Sequence, residues 1–406
     1  MRLSLRSPAP PQGGIPLKRA RVGLNAHLLS QQDSYRKAGV SRYIQRLLEW
    51  LPQVDPSWDY VAFLSPGHMA PQGWEVRRSV WRTAFPPARV AWEFFGLPWQ
   101  SKSAGLDLFH APVNVIPPWP PCPTVVTIHD LSPFLFPELY RPSRRLYQQT
   151  QLRRSARQAA HIIADSEATR QDVIHILGAP PERVTAIPLG VEETLRPITD
   201  PKALAAFRQR HGLERPYILF VGTLEPRKNI PCLLEAFALL KARQNVSHAL
   251  VLVGGKGWYY EALFERISKL GLGKDVYFAG YAADRDLPYW YSAAEAFVYP
   301  SLYEGFGLPP LEAMACGVPV IVSRASSLPE AVGEAGLLVE PDDPQALAEA
   351  ISLLLEDADL RERLRRAGFE RAAQLTWRRT AQRTAAIYLH ILRENDVIEG
   401  KDENGC

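Results

Sequence analysis

Two carboxylates flank a glycine-containing turn within residues 300–324 of this chain. Glu304 precedes the turn, which covers residues 305–307, and Glu312 falls within the segment that follows it. A glycine turn at a helix N-terminus offers free backbone N–H groups and the positive end of the helix dipole, which together favour a phosphate. Carboxylates beside a phosphate can accept hydrogen bonds from hydroxyl groups, which sugars and riboses carry. The spacing therefore predicts a site for a phosphate together with a sugar or a ribose.

The elements around this turn are predicted to run strand, turn, helix and strand. Residues 296–299 and 318–322 are short apolar runs typical of buried strands. Pro309 and Pro310 suit the first turn of a helix, where a missing N–H group costs least, so we expect a helix over 310–316. Gly317 can end that helix, because glycine adopts the left-handed conformation readily.

The same alternation of apolar strands and helical segments extends along the chain. In the second half we predict further strands at 217–221, 249–253, 276–279 and 336–339, and further helices at 230–242, 258–270, 287–293 and 328–332. In the first half we predict strands at 21–29, 60–64, 106–110, 124–128, 161–164 and 184–189, and helices after residue 43 and at 91–103, 143–160 and 167–177. Pro98 predicts a break or kink in the second of these helices. Continuous apolar strands, each followed by a helix, indicate a parallel sheet covered on both faces.

The fold class predicted from this pattern is α/β, with two doubly wound Rossmann-like domains. A chain of 406 residues is too long for one ordinary core. We place the first domain at 20–192 and the second at 200–376, with a Pro-containing linker between them, and we expect residues 1–19 to form a disordered tail. In doubly wound sheets ligands bind at the carboxyl ends of the strands, so a cleft between the domains is expected to hold the ligand.

Composition narrows the class of protein. The apolar runs are strand-sized and far shorter than a membrane span, and the first residues lack the apolar stretch of a signal peptide. The four cysteines show no metal-binding spacing, so we expect reduced thiols and a cytoplasmic location. Residues 141–157 contain six arginines and no acidic residue. This basic segment is either a solvated helix face or a surface for an anionic membrane or a phosphorylated acceptor; nucleic acid is not expected.

Several motifs together resemble a known enzyme family. Residues 304–312 match the Glu-x7-Glu motif of retaining, nucleotide-sugar-dependent glycosyltransferases of the GT-B fold, family four. The other matching segments are the loops and strand ends at 39–43, 127–130, 164–167, 187–191 and 221–229. The resemblance covers roughly residues 20–395. In this family the last helix crosses back to the first domain, so the resemblance implies that a helix at 377–395 packs there.

The resemblance also implies roles for individual residues. His129 and Glu304 would be the catalytic residues, with Glu304 holding hydroxyls of the donor sugar and Glu312 holding the ribose. Gly39 and Asp130 would lie on the diphosphate and acceptor side. The implied donor-binding set is Arg227, Lys228, Gly305, Phe306, Gly307, Leu308, Glu312 and Tyr281. Many family members carry an arginine at the position of Thr223, so here the phosphate charge would fall on Arg227 and Lys228.

The resemblance implies transfer of a hexose from a nucleotide diphosphate sugar, with no metal or other cofactor. The loop at 222–229 looks like that of bacterial mannosyltransferases, so mannose from GDP-mannose is the expected donor and UDP-glucose the runner-up. The expected acceptor is a glycan or lipid-linked oligosaccharide at the inner membrane face. A nucleotide-sugar epimerase or a phosphorylase on the same architecture and a non-catalytic binding module remain alternatives.

Asp284 and Asp286 superficially form an Asp-x-Asp metal motif. Their position ahead of a predicted helix favours a helix cap instead.

Overall fold

The computed structural model describes residues 19–30, 39–81, 83, 85–243, 246–255 and 260–397. The predicted tail at 1–19, except Arg19, lies outside this set, as do residues 256–259 after the strand predicted at 249–253.

The first domain is built on a seven-stranded parallel sheet. Its strands are β1 (Arg21–Asn25), β2 (Asp59–Leu64), β3 (Trp74–Arg78), β4 (Leu108–Ala111), β5 (Thr124–Ile128), β6 (His161–Ala164) and β7 (Val184–Ala186). Their spatial order is β3-β2-β1-β4-β5-β6-β7. The helices between them are α1 (Val40–Val54), α2 (Pro86–Ala91), α3 (Leu97–Ser103), α4 (Ser132–Leu135), α5 (Pro142–Gln158) and α6 (Glu167–Leu177).

Strand β2 shows how both faces of this sheet are covered. Successive side chains of a strand point to opposite faces. Accordingly, Ala62 and Leu64 belong to the apolar cluster that contains helix α1, whereas Val61 and Phe63 belong to the cluster that contains α5. This burial on both faces explains why the central strands are continuous apolar runs in the sequence.

The second domain carries a six-stranded parallel sheet. Its strands are β8 (Tyr217–Val221), β9 (Ala249–Val253), β10 (Val276–Gly280), β11 (Ala296–Tyr299), β12 (Val320–Ser323) and β13 (Gly336–Val339), in the order β10-β9-β8-β11-β12-β13. Its helices are α7 (Pro201–Arg210), α8 (Ile230–Arg243), α9 (Tyr260–Lys269), α10 (Leu287–Ser292), α11 (Leu308–Ala315), α12 (Leu328–Val332), α13 (Pro344–Glu356) and α14 (Ala358–Gln374). The predicted α/β class with two doubly wound, Rossmann-like domains is confirmed.

The last helix, α15 (Trp377–Glu394), returns to the first domain, as predicted. Val191 pairs with Thr376 in an isolated parallel bridge, which brings the end of the second domain beside the linker. The Thr380 hydroxyl then donates to the Pro188 carbonyl at 2.8 Å. Tyr388 is fully buried, with its ring 6.0 Å from that of Trp58. The first domain is therefore completed by the end of the chain.

Two predicted helices differ from the structure. The segment predicted at 91–103 begins earlier and contains a π-helical turn, Trp92–Gly96, between α2 and α3. Pro98 lies two residues after this turn and has no N–H group to donate to the preceding turn, so the predicted break within this helix is present as a π-helical turn just before the proline. Helix α11 begins at Leu308 instead of Pro310, because both prolines fit among the first positions that have no intrahelical N–H partner.

Candidate active site

A cleft of about 460 Å³ lies between the two domains, at the carboxyl ends of both sheets. All of the residues that sequence analysis assigned to the site line it: Gly39, His129, Asp130, Arg227, Lys228, Tyr281, Glu304, Gly305, Phe306, Gly307, Leu308 and Glu312. Their convergence follows from the fold, since the loops after parallel strands all open on the same edge of a sheet. The individual roles assigned to them stay predictions.

Glu304 holds the two cations of the loop that follows β8. Its carboxylate accepts hydrogen bonds from Lys228 Nζ at 2.6 Å and from Arg227 Nη1 at 3.3 Å. Lys228 also donates to the Tyr299 hydroxyl at 2.7 Å. Arg227 Nη2 donates to Glu225 Oε1 at 2.9 Å. Glu304 and Lys228 are each only 7% exposed, so these are ion pairs with little access to water.

Two opposing effects set the pKa of Glu304. Burial alone raises the pKa of a carboxyl group, because the charged form loses its hydration. The positive charges of Lys228 and Arg227 outweigh that effect and lower the pKa of Glu304 to about 2. The carboxylate is therefore ionised at neutral pH.

The turn after Glu304 leads directly into helix α11. Gly307 stands at the N-cap with φ of 104°, a conformation that side chains other than glycine rarely adopt. A Cβ atom at this position would also lie 2.8 Å from Leu328 Cδ2. Pro309 and Pro310 have no N–H group, so the first N–H group that α11 offers to a ligand in the cleft is that of Leu308, and no side chain at residue 307 caps it.

Gly305 is the point of closest approach between the domains in this loop. A Cβ atom there would lie 1.9 Å from the His129 carbonyl oxygen, so only glycine fits. The Gly305 carbonyl accepts hydrogen bonds from Ser166 Oγ at 2.7 Å and from Thr169 Oγ1 at 3.1 Å. Both hydroxyls lie at the start of α6 in the first domain. The two domains are therefore closed on each other in this structure.

The side chain of Tyr303 forms a second set of hydrogen bonds between the domains. Its hydroxyl donates to Asp172 Oδ2 at 2.8 Å and accepts from the Leu131 N–H group at 3.1 Å. Sequence analysis assigned no role to Tyr303, and a tyrosine beside a motif gives no sign of a partner on another domain.

His129 lines the cleft, but both of its ring nitrogens are bound to protein. Nδ1 lies 2.7 Å from Asp165 Oδ2, and Nε2 lies 2.8 Å from the Pro112 carbonyl oxygen. Because both partners are acceptors, the geometry favours the doubly protonated ring. Burial lowers the pKa of a histidine, but Asp165 and these hydrogen bonds raise the pKa of His129 overall. The His129 carbonyl oxygen lies against Gly305 of the second domain, and the catalytic role of His129 stays a prediction.

A buried relay, here a chain of side-chain hydrogen bonds, connects the surroundings of His129 to the last helix. Tyr388 Oη lies 2.5 Å from His110 Nδ1, and His110 Nε2 lies 2.8 Å from Thr127 Oγ1. Thr127 Oγ1 in turn lies 3.0 Å from the hydroxyl of Tyr43, whose ring meets the His129 ring edge-on at 5.1 Å. Burial lowers the pKa of His110 to about 3, so this histidine is neutral. The relay fixes Tyr43 and the end of β5 beside the cleft.

Asp130 and Tyr281 line the cleft in different ways. Asp130 Oδ1 accepts from the Ser132 N–H group at 3.0 Å and from the Ser132 hydroxyl at 2.6 Å. It thus shapes the turn after β5. Tyr281 follows β10 and is 41% exposed, so its ring is accessible to a ligand.

The Asp-x-Asp pair does not cap helix α10 as expected. Asp286 occupies the N-cap position but makes no side-chain capping hydrogen bond there. Asp284 instead accepts from Arg42 of the first domain at 3.2 Å. Within the described ranges, no group of three or more His, Cys, Asp or Glu residues could hold a metal ion. Metal-independence itself stays a prediction.

Arg42 and Asp165 are among the cleft-lining residues that were not predicted from the sequence. Both stand inside matching segments, at 39–43 and 164–167, and Asp165 directly follows a strand. Their positions indicated a site, but the residues that they contact come from distant parts of the chain and could not be predicted.

None of the helices in the described ranges is long and apolar enough to cross a membrane.

Comparison with known proteins accounts for both domains. The family model "Glycosyltransferase Family 4" matches residues 38–195, and "Glycosyl transferases group 1" matches residues 203–371. The O-antigen chain mannosyltransferase B of Escherichia coli is 37% identical over 264 residues, which cover 65% of this chain and 69% of that protein.

Solved structures show the same architecture. Sucrose-phosphate synthase from Thermosynechococcus elongatus superposes with a TM-score of 0.74 at 24% identity, over 93% of this chain and 100% of the other. Anabaena HepE in complex with UDP-glucose gives a TM-score of 0.69 at 21% identity, over 91% and 99%. At such identities the likeness concerns the fold. Together with two matched domain models and a relative aligned over most of its length, it identifies this chain as a member of the group 1, family 4 glycosyltransferases with the GT-B fold.

Proposed function

We propose that this glycosyltransferase moves mannose from GDP-mannose to a glycan or lipid-linked acceptor, with retention of anomeric configuration. The observation that carries the proposal is that Glu304, Arg227 and Lys228 line the same cleft as the first residue of α11, whose N–H group has no side-chain cap. Cations and helix N–H groups at one point favour a diphosphate. A carboxylate at the same point can accept hydrogen bonds from sugar hydroxyls.

Lys228 and Arg227 have more N–H groups than their hydrogen bonds to the protein use, so the remaining ones can bind a diphosphate. Lys228 has three N–H groups and uses two of them, on Tyr299 and Glu304, among the residues described. Arg227 has five and uses three, on Tyr303, Glu304 and Glu225. The remaining donors supply stabilisation of the charge that develops on the leaving phosphate. This stabilisation is greatest in the transition state, where the bond to the sugar breaks.

We infer front-face transfer, without a covalent enzyme intermediate. The bond between the anomeric carbon and the phosphate oxygen breaks, and the acceptor oxygen bonds to that carbon from the same side. The acceptor proton passes to the leaving phosphate. Glu304 is bound to two cations through both oxygens, which suits a carboxylate that orients groups and not a nucleophile. No metal ion is needed in this scheme, so transfer is expected to persist in EDTA.

The choice of mannose is supported by the similarity to the Escherichia coli relative, which is a mannosyltransferase. The test is thermal unfolding of the protein with GDP-, UDP- and ADP-sugars and with the free nucleotides. A ligand at a hundredfold excess over its Kd should stabilise the fold by about 2.7 kcal/mol. Stabilisation by GDP-mannose, followed by an α-mannosidic product identified by NMR, is the expected result. Stabilisation by UDP-glucose alone would replace the donor, and no effect of any nucleotide would refute the proposal.

We also propose that the first domain contacts an anionic membrane, where a lipid-linked acceptor would reside. Phe95 and Trp99 are 69% and 72% exposed on the segment beside α5. The Arg154 guanidinium lies 5.1 Å from the ring centre of Phe94, so the arginine-rich helix adjoins these aromatics. Exposed aromatics next to arginines are typical of surfaces that bind at the lipid headgroup level.

Sedimentation with vesicles tests this surface. Binding to phosphatidylglycerol vesicles but not to phosphatidylcholine vesicles is expected, and the double change Phe95→Ser and Trp99→Ser should abolish it. Leu353→Ser is the matched control, since Leu353 is 48% exposed on the second domain. Equal binding of the wild type to both vesicle types, or no loss in the double variant, would refute the membrane contact.

A further inference from the structure

An ion-pair cluster joins the two domains at the edge of the cleft. Arg42, on α1, donates through Nη1 to Glu312 Oε1 and through Nη2 to Asp284 Oδ1 at 3.2 Å. Its Nε lies 3.8 Å from Glu192 Oε1. The Arg42 side chain is only 12% exposed. One arginine of the first domain is thus surrounded by two carboxylates of the second domain and by one at the end of the first domain.

Glu312 is held from both domains. Its Oε2 accepts from the Tyr291 hydroxyl of α10 at 2.9 Å, while its Oε1 accepts from Arg42. Each carboxylate oxygen can accept two hydrogen bonds, so both oxygens retain capacity. The carboxylate lines the cleft and has a fixed orientation. Two adjacent acceptors in a fixed orientation match the two neighbouring hydroxyls of a ribose.

Arg46 shows what a purely structural arginine looks like in the same place. It lies one turn further along α1, and its ion pairs in the described ranges are with Glu192 and Glu49. Neither partner belongs to the second domain. Arg42 differs because two of its partners, Asp284 and Glu312, lie across the cleft, and both of them line it.

We propose that Arg42 is a positioning residue for the donor, which completes the ribose-binding carboxylate only when the two domains are closed. The proposal rests on the proposed function, since it takes the ribose hydroxyls to bind Glu312. Opening of the cleft removes Arg42 from Glu312 and leaves Tyr291 as the remaining side-chain hydrogen-bond partner of this carboxylate in the part of the chain that the structure describes. Ribose binding and domain closure must therefore favour each other, because each stabilises the arrangement that the other needs.

The test measures how much each variant gains from the ribose hydroxyls. GDP and 2′,3′-dideoxy-GDP are titrated calorimetrically into the wild type, Arg42→Met, Arg42→Lys and Arg46→Met. The wild type should bind GDP at least about tenfold more tightly than the dideoxy nucleotide, since hydrogen bonds to a charged group are lost. Arg42→Met should reduce this ratio to roughly threefold or less, because Glu312 is then no longer held from the first domain.

The remaining variants separate positioning from general loosening. Arg42→Lys keeps the charge but cannot fork between two carboxylates, so its ratio should fall between those of Arg42→Met and the wild type. Arg46→Met should keep the wild-type ratio. An unchanged ratio in Arg42→Met or Arg42→Lys, or an equal loss in Arg46→Met, would overturn the proposal. If the wild type binds neither GDP nor UDP, the proposed function fails instead; if it prefers UDP, the same comparison is made with UDP and its dideoxy form.

Discussion

Replacing Glu304 by glutamine should destabilise the free protein as well as impair transfer. The amide keeps the shape of the side chain but removes the charge that Lys228 and Arg227 share at 2.6 and 3.3 Å. Breaking a buried ion pair by removal of one partner costs about 3 kcal/mol or more, because the other charge is left without compensation. For a domain of this size we expect the midpoint of thermal unfolding at pH 7 to fall by roughly 6 °C or more.

The difference in stability between the wild type and Glu304→Gln should depend on pH in a direction that follows from the pKa of Glu304. The pKa of Glu304 is about 2 in the folded state, whereas an unperturbed glutamate has a pKa of about 4.3. A lowered folded-state pKa means that the stabilisation is fully present above the unfolded-state pKa and is lost as the pH falls through the folded-state value. The gap between wild type and Glu304→Gln should therefore be constant from pH 8 to about 5 and shrink towards zero as the pH approaches about 2.

Thermal unfolding followed by circular dichroism across this pH range is the assay, and Glu138→Gln is its control. Glu138 is an exposed carboxylate on the surface of the first domain, so its replacement should leave the midpoint unchanged at every pH. A Glu304→Gln midpoint equal to that of the wild type at pH 7 would refute the role of Glu304 as the counter-charge. A gap that persists undiminished below about pH 3 would refute the pKa argument.

Three further predictions follow from other contacts. Asp165→Asn should lower the pKa of His129, because it removes the largest charge that opposes burial and leaves only the Pro112 carbonyl and Asp130 to raise the pKa. An NMR titration of the imidazole measures this, and the stabilisation that the raised pKa gives below about pH 6.5 should shrink with it; an unchanged pKa would contradict the role of Asp165. Gly305→Ala places a methyl group 1.9 Å from the His129 carbonyl oxygen, so it should hold the domains apart, lower transfer about a hundredfold and enlarge the molecule in solution X-ray scattering; normal transfer would contradict this. Tyr388→Phe leaves the buried His110 ring nitrogen without a partner and should cost roughly 1–3 kcal/mol in denaturant unfolding, whereas an unchanged midpoint would show that the relay contributes nothing.

The central strands could be predicted from the sequence because buried strands consist of apolar residues. Strands β8 and β9 lie at the predicted residues, 217–221 and 249–253, since both faces of each are covered and every position is apolar. The convergence of the site residues could also be predicted from the sequence, because the loops after parallel strands lie at one edge of the sheet. Pattern and connectivity were sufficient for this part of the fold.

Elements with a weaker pattern were missed. The edge strand β3, Trp74–Arg78, is half exposed and polar at most positions, so no apolar run marks it. Helix α7, Pro201–Arg210, is not among the predicted helices, since the proline at its start is typical of a linker as well as of a helix. In the structure Pro201 stands in the first turn, and the Asp200 side chain caps the helix.

The partners of the site side chains could not be predicted from the sequence. Arg42 and Glu312 are 270 residues apart, and their contact depends on how far one domain rotates onto the other. Nothing local in either segment encodes that rotation. The same holds for His129, whose two ring nitrogens are taken by Asp165 and by a backbone carbonyl. A histidine at a strand end indicates a site, but its protonation is decided by neighbours from other loops.

The crossing of α15 back to the first domain has a consequence for synthesis of the chain. Domains usually fold in the order in which they emerge from the ribosome. Here roughly 190 residues separate the end of β7 from the start of α15, a delay on the order of 10 to 40 s at common elongation rates. During that interval the buried faces of Tyr43 and Trp58 have no α15 to cover them. The nascent first domain must therefore wait, with apolar surface uncovered, until the second domain has been made.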